Sequence, residues 1–112
     1  MEQRQGGGPQ ARKYFRLEYP PDDHPTVRIG KNTFSILDLS ERGIRISNPK
    51  QVRFAEWIRG KITFFDGESV DFEGKIIWES NDELGILIVV TPIPIARIMK
   101  EQQRLIAREK LL

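Results

Sequence analysis

Along most of the chain, apolar and polar residues alternate in short runs broken by Gly, Pro, Asn and Asp, the period of half-buried strands. A first short strand is expected over Tyr14 to Glu18, before Pro20-Pro21 and the loop 22–25. Thr26 to Ile29 and Thr33 to Leu39 read as a hairpin around Gly30-Lys31-Asn32. Ile44 to Ser47 follows, and Asn48-Pro49 stops it. The stretch from Gln51 to Gly60 fits neither strand nor helix period, and it reads as extended with one irregular turn. Lys61 to Phe65 and Ser69 to Glu79 form a second hairpin across Asp66-Gly67, and Ser80-Asn81-Asp82 turns the chain again. Leu84 to Val90 is almost continuously apolar, which predicts a central strand buried on both sides.

At Ile95 the period lengthens. Ile95, Ile98, Met99, Gln102, Leu105 and Ile106 fall at helical spacing opposite Arg97, Glu101, Arg104 and Arg108, so an amphipathic helix is expected over 95–111. Its apolar stripe is expected to cover an open end of the fold; the competing use is a partner or homodimer surface. Six or seven short strands closed by one helix argue for a mainly β protein, a small antiparallel barrel.

Bulk properties narrow the function. A chain of 112 residues has room for one core, and the absence of cysteine rules out disulfides, thiolate nucleophiles and thiolate metal sites. His24 is the single histidine, so a histidine-rich metal site is excluded. No apolar run approaches a membrane span and no hydrophobic leader begins the chain, so a cytoplasmic protein is expected. Net charge is only +2, which does not imply a nucleic-acid binder, and no DNA or RNA partner is expected. Positive charge instead concentrates at the two ends, in Arg4, Arg12, Lys13 and Arg16 and again from Arg97 to Lys110. Residues 1–11, rich in Gly and poor in apolar side chains, are expected to be a flexible leader to a single domain over 12–112.

The chemistry gathers where a strand runs into a turn, at Asp38-Leu39-Ser40-Glu41-Arg42-Gly43. Alternation places Asp38 and Ser40 on one face and Leu39 on the other, and Gly43 permits a turn or a close approach. Upstream, Arg12 and Arg16 put two guanidiniums four residues apart on the arm. Arginine forks bind guanine edges or phosphates, and a carboxylate accepts from the N1 and N2 hydrogens of guanine. The bland alternative for Asp38 and Ser40 is a turn cap bonded to local amides.

Arg-x-x-x-Arg at Arg12 and Arg16, followed by Asp-x-Ser-x-x-Gly at Asp38, Ser40 and Gly43, resembles the PilZ family, from about Arg12 to the end of the chain. The resemblance implies a six-stranded barrel with an arm before it and a helix after it. It also implies a ligand, cyclic di-GMP, with no other cofactor. By position it assigns Arg12 and Arg16 to guanine and phosphate, Asp38 and Ser40 to the guanine edge, and Gly43 to backbone shape. Trp78 is a weaker candidate, matching a tryptophan that family members often carry near the base. Ala11 stands where many members have a further arginine, which points to one ligand per site rather than a stacked pair.

Each bidentate contact is worth roughly 1–3 kcal/mol and micromolar binding needs about 8 kcal/mol, so several groups must converge. Half the site on an arm suggests a switch: ligand draws the arm down, and a protein partner reads the new surface, with motility, biofilm or exopolysaccharide control as the output. Two other classes compete, namely a PilZ-like adaptor that does not bind nucleotide, and a barrel that binds single-stranded nucleic acid through Tyr14, Phe15 or Trp57. An enzyme is not expected, because Asp38 has no paired acid and Ser40 no histidine.

Overall fold

The computed structural model describes residues 15–110; the expected leader, Arg12 and Tyr14 lie outside them. The alternating runs become seven strands, β1 (Leu17–Glu18), β2 (Thr26–Ile29), β3 (Asn32–Leu39), β4 (Gly43–Ser47), β5 (Trp57–Thr63), β6 (Ser69–Glu79) and β7 (Glu83–Ile88), followed by helix α1 (Ile95–Lys110). All pairings are antiparallel, in the order β1-β3-β2-β5-β6-β7-β4, and β3 also pairs with β4. That last pairing closes six strands into a ring. The seventh, β1, pairs with the second half of β3, Leu17 opposite Leu39 and Glu18 opposite Asp38.

The hairpin signals act where expected. Gly30 takes φ +63° between β2 and β3, and Gly67 takes φ +88° between β5 and β6, a region in which a Cβ is strained. The ambiguous stretch resolves into an irregular segment up to Glu56, after which β5 starts at Trp57, four residues before the expected Lys61. Asn48 accounts for the irregular part. Its side-chain amide donates to the Val52 carbonyl at 3.1 Å and its Oδ1 accepts from the Val52 N–H at 3.0 Å, so loop backbone is satisfied without a ladder.

Inward-facing residues of the ring, including Val27, Ile36, Ile46, Ile62, Leu84 and Ile86, fill one core to near-complete burial. Two expectations of burial fail. β7 is not buried on both sides: Leu84, Ile86 and Ile88 point in, whereas Leu87 is exposed and Val90, just beyond the strand, is exposed too. In α1 only Ile98 and Leu105 of the expected stripe reach the core; Ile95, Met99 and Ile106 face solvent. Arg97 and Glu101, assigned to the outer face, are buried instead.

The reason is electrostatic. The barrel end that α1 covers carries Asp66 and Glu68 in the β5–β6 hairpin and Asp22 and Asp23 after β1. Arg97 pairs with Asp66 at 2.7 Å and with Glu68, Arg104 with Asp23 at 2.9 Å, and Arg108 with Asp22 at 2.7 Å. Glu101, only 1% exposed, sits between Arg97 (3.0 Å) and Arg104 (3.3 Å) and accepts the Tyr19 hydroxyl at 3.0 Å. The buried charge of Glu101 is tolerated because both of its carboxylate oxygens have donors. The helix is thus rolled so that its charged edge shares the docking face.

Candidate functional site

Strict alternation along β3 would send Asp38 inward behind Phe34 and Ile36. It does not, because the register with β4 shifts between Ile36 and Asp38, leaving Leu37 as an extra residue. A bulge of this kind moves every later side chain to the other face. Leu39 therefore enters the core and Asp38 turns to the outer wall. On β6 a second shift, between Ile76 and Trp78, does the same for Trp78, which would otherwise follow Phe72 inward.

The two bulges align one outward row across four strands. Trp78 on β6 faces Gly85 on β7, Gly85 faces Arg45 on β4, and Arg45 faces Asp38 on β3. Gly85 provides the seat for the indole, since a Cβ there would lie 2.0 Å from Trp78 Nε1. With strands about 4.8 Å apart, Trp78 and Asp38 mark the ends of a row roughly 14 Å long.

At the Asp38 end the charges interlock. Arg45 Nε donates to Asp38 Oδ2 at 2.7 Å and Arg45 Nη1 to Glu83 Oε1 at 2.9 Å. Arg16, just before β1, brings its Nε to 3.9 Å from Asp38 Oδ1. Each carboxylate oxygen thus faces a different guanidinium. Asp38 is only 4% exposed, covered by these two side chains rather than by the core. The bonds that Arg45 donates to Asp38 and to Glu83 raise its pKa above the ordinary value. Chemically, this is a carboxylate acceptor flanked by two forked donors and ending in an exposed ring, on open surface. Such a set suits a planar, anionic, hydrogen-bonding ligand.

The PilZ domain family model matches residues 10–107. The chain belongs to the PilZ domain family. PilZ domains are binding and adaptor modules rather than catalysts. No curated protein matches the chain. Among solved structures, a crystal structure of an uncharacterized Legionella protein superposes with a TM-score of 0.61 at 14% identity, covering 87% of this chain and 99% of that one. The likeness shows a shared fold.

Of the family-motif residues, Arg16 and Asp38 meet; Arg12 lies outside the described residues. Ser40 is turned back into the motif turn. Its N–H donates to the Gly43 carbonyl at 2.9 Å, and its hydroxyl donates weakly to the same oxygen at 3.4 Å. Gly43 has no unusual φ. It serves by close approach, since a Cβ there would stand 3.3 Å from Ser40 Oγ. The turn is held from beneath: the Glu41 carbonyl accepts from Ile93 N–H at 2.8 Å and the Arg42 carbonyl from Ile88 N–H at 2.9 Å. The PilZ turn is thereby rigid. Trp78 is a surface aromatic, 42% exposed, at the far end of the row.

Arg45, Glu83 and Gly85 complete the row without belonging to the motif. Arg45 was findable, because a short hairpin across the motif turn sets opposite charges against each other. Glu83 and Gly85 were not, since their place depends on β7 pairing with both β4 and β6.

Proposed function

We propose that this PilZ domain is a cytoplasmic receptor for cyclic di-GMP that signals to a protein partner. The observation that carries the reading is the convergence of Arg16 and Arg45 on Asp38, in a row that ends at Trp78. One guanine is read at Asp38 through its N1 and N2 hydrogens, while the arginines turn to its O6/N7 edge and to phosphate. Trp78, whose ring lies over Gly85 two strands from Asp38, meets another part of the ligand. Asp38 must exchange Arg45 for guanine, so Arg45 is the residue that moves. Arg12 and the rest of the arm complete the site, Ser40 and Gly43 keep the turn in shape, and the ordered arm becomes the surface that the partner reads. The output is control of motility, biofilm or exopolysaccharide.

Calorimetric titration with cyclic di-GMP tests this, with GTP as the control and Arg16→Ala and Asp38→Ala alongside. Saturable binding, micromolar or tighter, that either substitution abolishes is the expected result. Folded protein that evolves no heat at several temperatures defeats the reading and leaves the nucleotide-independent adaptor in its place.

A further inference from the structure

A second surface lies across the ring from β4, on β5, which is three strands away in either direction, and on its neighbour β2. There Arg28 on β2 stands directly opposite Lys61 on β5, with Arg59 on the same outer face of β5. Like charges directly opposed across strands are destabilising, so the fold gains nothing from this pair. Among the described residues only Arg59 of the three has a carboxylate within 4.0 Å, Glu73 at 3.2 Å, and at 85% side-chain exposure that pair is well screened.

Two depressions meet at Gly30 and Arg59 to make one trough. The first, about 680 Å³, is bordered by Arg28, Arg59 and Lys61, with Asp71 and Glu73 on its β6 wall and the exposed Val90 at its rim. The second, about 410 Å³, runs between the β2–β3 turn and the segment before β5. It is bordered by Lys31, Arg53, Arg59, Phe54 and Trp57, and no acidic residue lines it. Glu56 is nearby, but its carboxylate is engaged by Lys75 at 3.4 Å. Trp57 is 59% exposed, and Lys75 Nζ lies 5.9 Å from its ring centroid. The indole thus stands largely in water in a depression that it shares with Lys31, Arg53 and Arg59.

From this trough we infer that the β2–β5 wall binds single-stranded nucleic acid, independently of the nucleotide site. Phosphates track the cations from Arg28 and Lys61 through Arg59 to Lys31 and Arg53, and an unpaired base stacks on Trp57. The two acids on the β6 wall confine the phosphate path to the β2–β5 side. Stacking on Trp57 requires a base that is not paired. Net charge of +2 is a sum over the whole chain and does not register that Arg28, Lys31, Arg53, Arg59 and Lys61 border one surface.

Fluorescence anisotropy of the full chain with labelled oligothymidylate and oligouridylate of about twelve nucleotides tests the inference. Saturable binding is expected, with a log–log salt slope of about −2 to −3.5 for three to five phosphates neutralised. Trp57→Ala should weaken binding on the order of tenfold and leave the salt slope unchanged. The double variant Arg28→Gln/Lys61→Gln should flatten the slope by about 1.4 while the protein stays folded, since the like-charge pair Arg28–Lys61 is lost along with the Lys61–Asp71 pair across β6. Arg16→Ala should bind the oligonucleotide as the unmodified chain does, and the trough variants should keep any calorimetric response to cyclic di-GMP. The inference is overturned if no oligonucleotide binds, if Arg16→Ala abolishes binding, or if polyglutamate or phosphatidylserine vesicles bind with equal strength and the same sensitivity to Trp57→Ala.

Discussion

Asp38 and Trp78 reach the outer wall only because Leu37 and Ile77 are extra residues in their ladders. A period of two read along Phe34, Ile36 and Asp38 puts the carboxylate in the core, and the same reading along Phe72, Gly74, Ile76 and Trp78 buries the indole. The motif residues were legible as residue types at a spacing, and so was the local pairing of faces around Leu39. The shifts that aim them were not, because a bulge is set by the register of a partner strand and leaves no local mark in an apolar run. Gly85 offers the sharpest residue-scale test. In Gly85→Ala the new methyl meets the Trp78 ring at 2.0–2.6 Å, so the ring must lift from the wall. We expect a loss of about 1–3 kcal/mol by chemical denaturation and a red-shifted Trp78 emission, read in a Trp57→Phe background. Trp78→Ala should remove most of that cost, and additive effects of the two changes would contradict the contact.

Helix α1 begins at the expected Ile95 and continues through Lys110, the last described residue, and it covers the barrel end. Its rotation did not follow from its hydrophobic period, because the period records only apolar preference. Acidic groups on two distant loops supply the rest of the docking energy, and their meeting with Arg97, Arg104 and Arg108 is a property of the folded chain. Removing the Glu101 charge tests this directly. Glu101→Gln leaves Arg97, Arg104 and the Tyr19 hydroxyl short of an acceptor, and a loss of about 3–5 kcal/mol is expected in urea. Met99→Ala and Ile106→Ala, residues that the period marks as core, should each change stability by less than about 0.5 kcal/mol. The reverse ranking would mean that the apolar stripe, not the charged edge, docks.

For the molecule as a whole, the ion pairs of α1 make stability depend on pH at both extremes. Arg97 leads in holding the Asp66 carboxyl well below its ordinary value, helped by the Glu68 N–H and by Lys100. A lowered folded-state pKa contributes stability that is complete above the unfolded value of 3.8 and lost as pH falls below it. Tyr19 behaves oppositely. Burial first, then the Glu101 carboxylate, push its hydroxyl far above the ordinary 10.0, so its contribution is complete below pH 10 and declines above it. Melting temperatures should therefore stay level on these two accounts from pH 5 to pH 9. They should fall on either side of that range, with Asp66→Asn blunting the acid limb and Tyr19→Phe the alkaline one. At this scale the number and order of strands, the hairpins and the closing helix could all be read from the chain. Which strands close the ring could not, since the β4–β7 pairing joins segments far apart in the chain whose patterns resemble those of other strands.

One consequence concerns the shortest strand. β1 is two residues long, and it is fastened at both ends by side chains: Arg16 at Asp38 before it, Tyr19 at Glu101 after it. Between them lie three residue steps of extended backbone, about 10 Å of chain that has no slack to give. In mechanical terms β1 is a tie rod between the outer wall and the helix. A pull on Arg16 arrives at Tyr19 undiminished, and a single local opening detaches both. The amides of Leu17 and Tyr19 should accordingly exchange with deuterium at one common rate, and Asp38→Ala should quicken both alike.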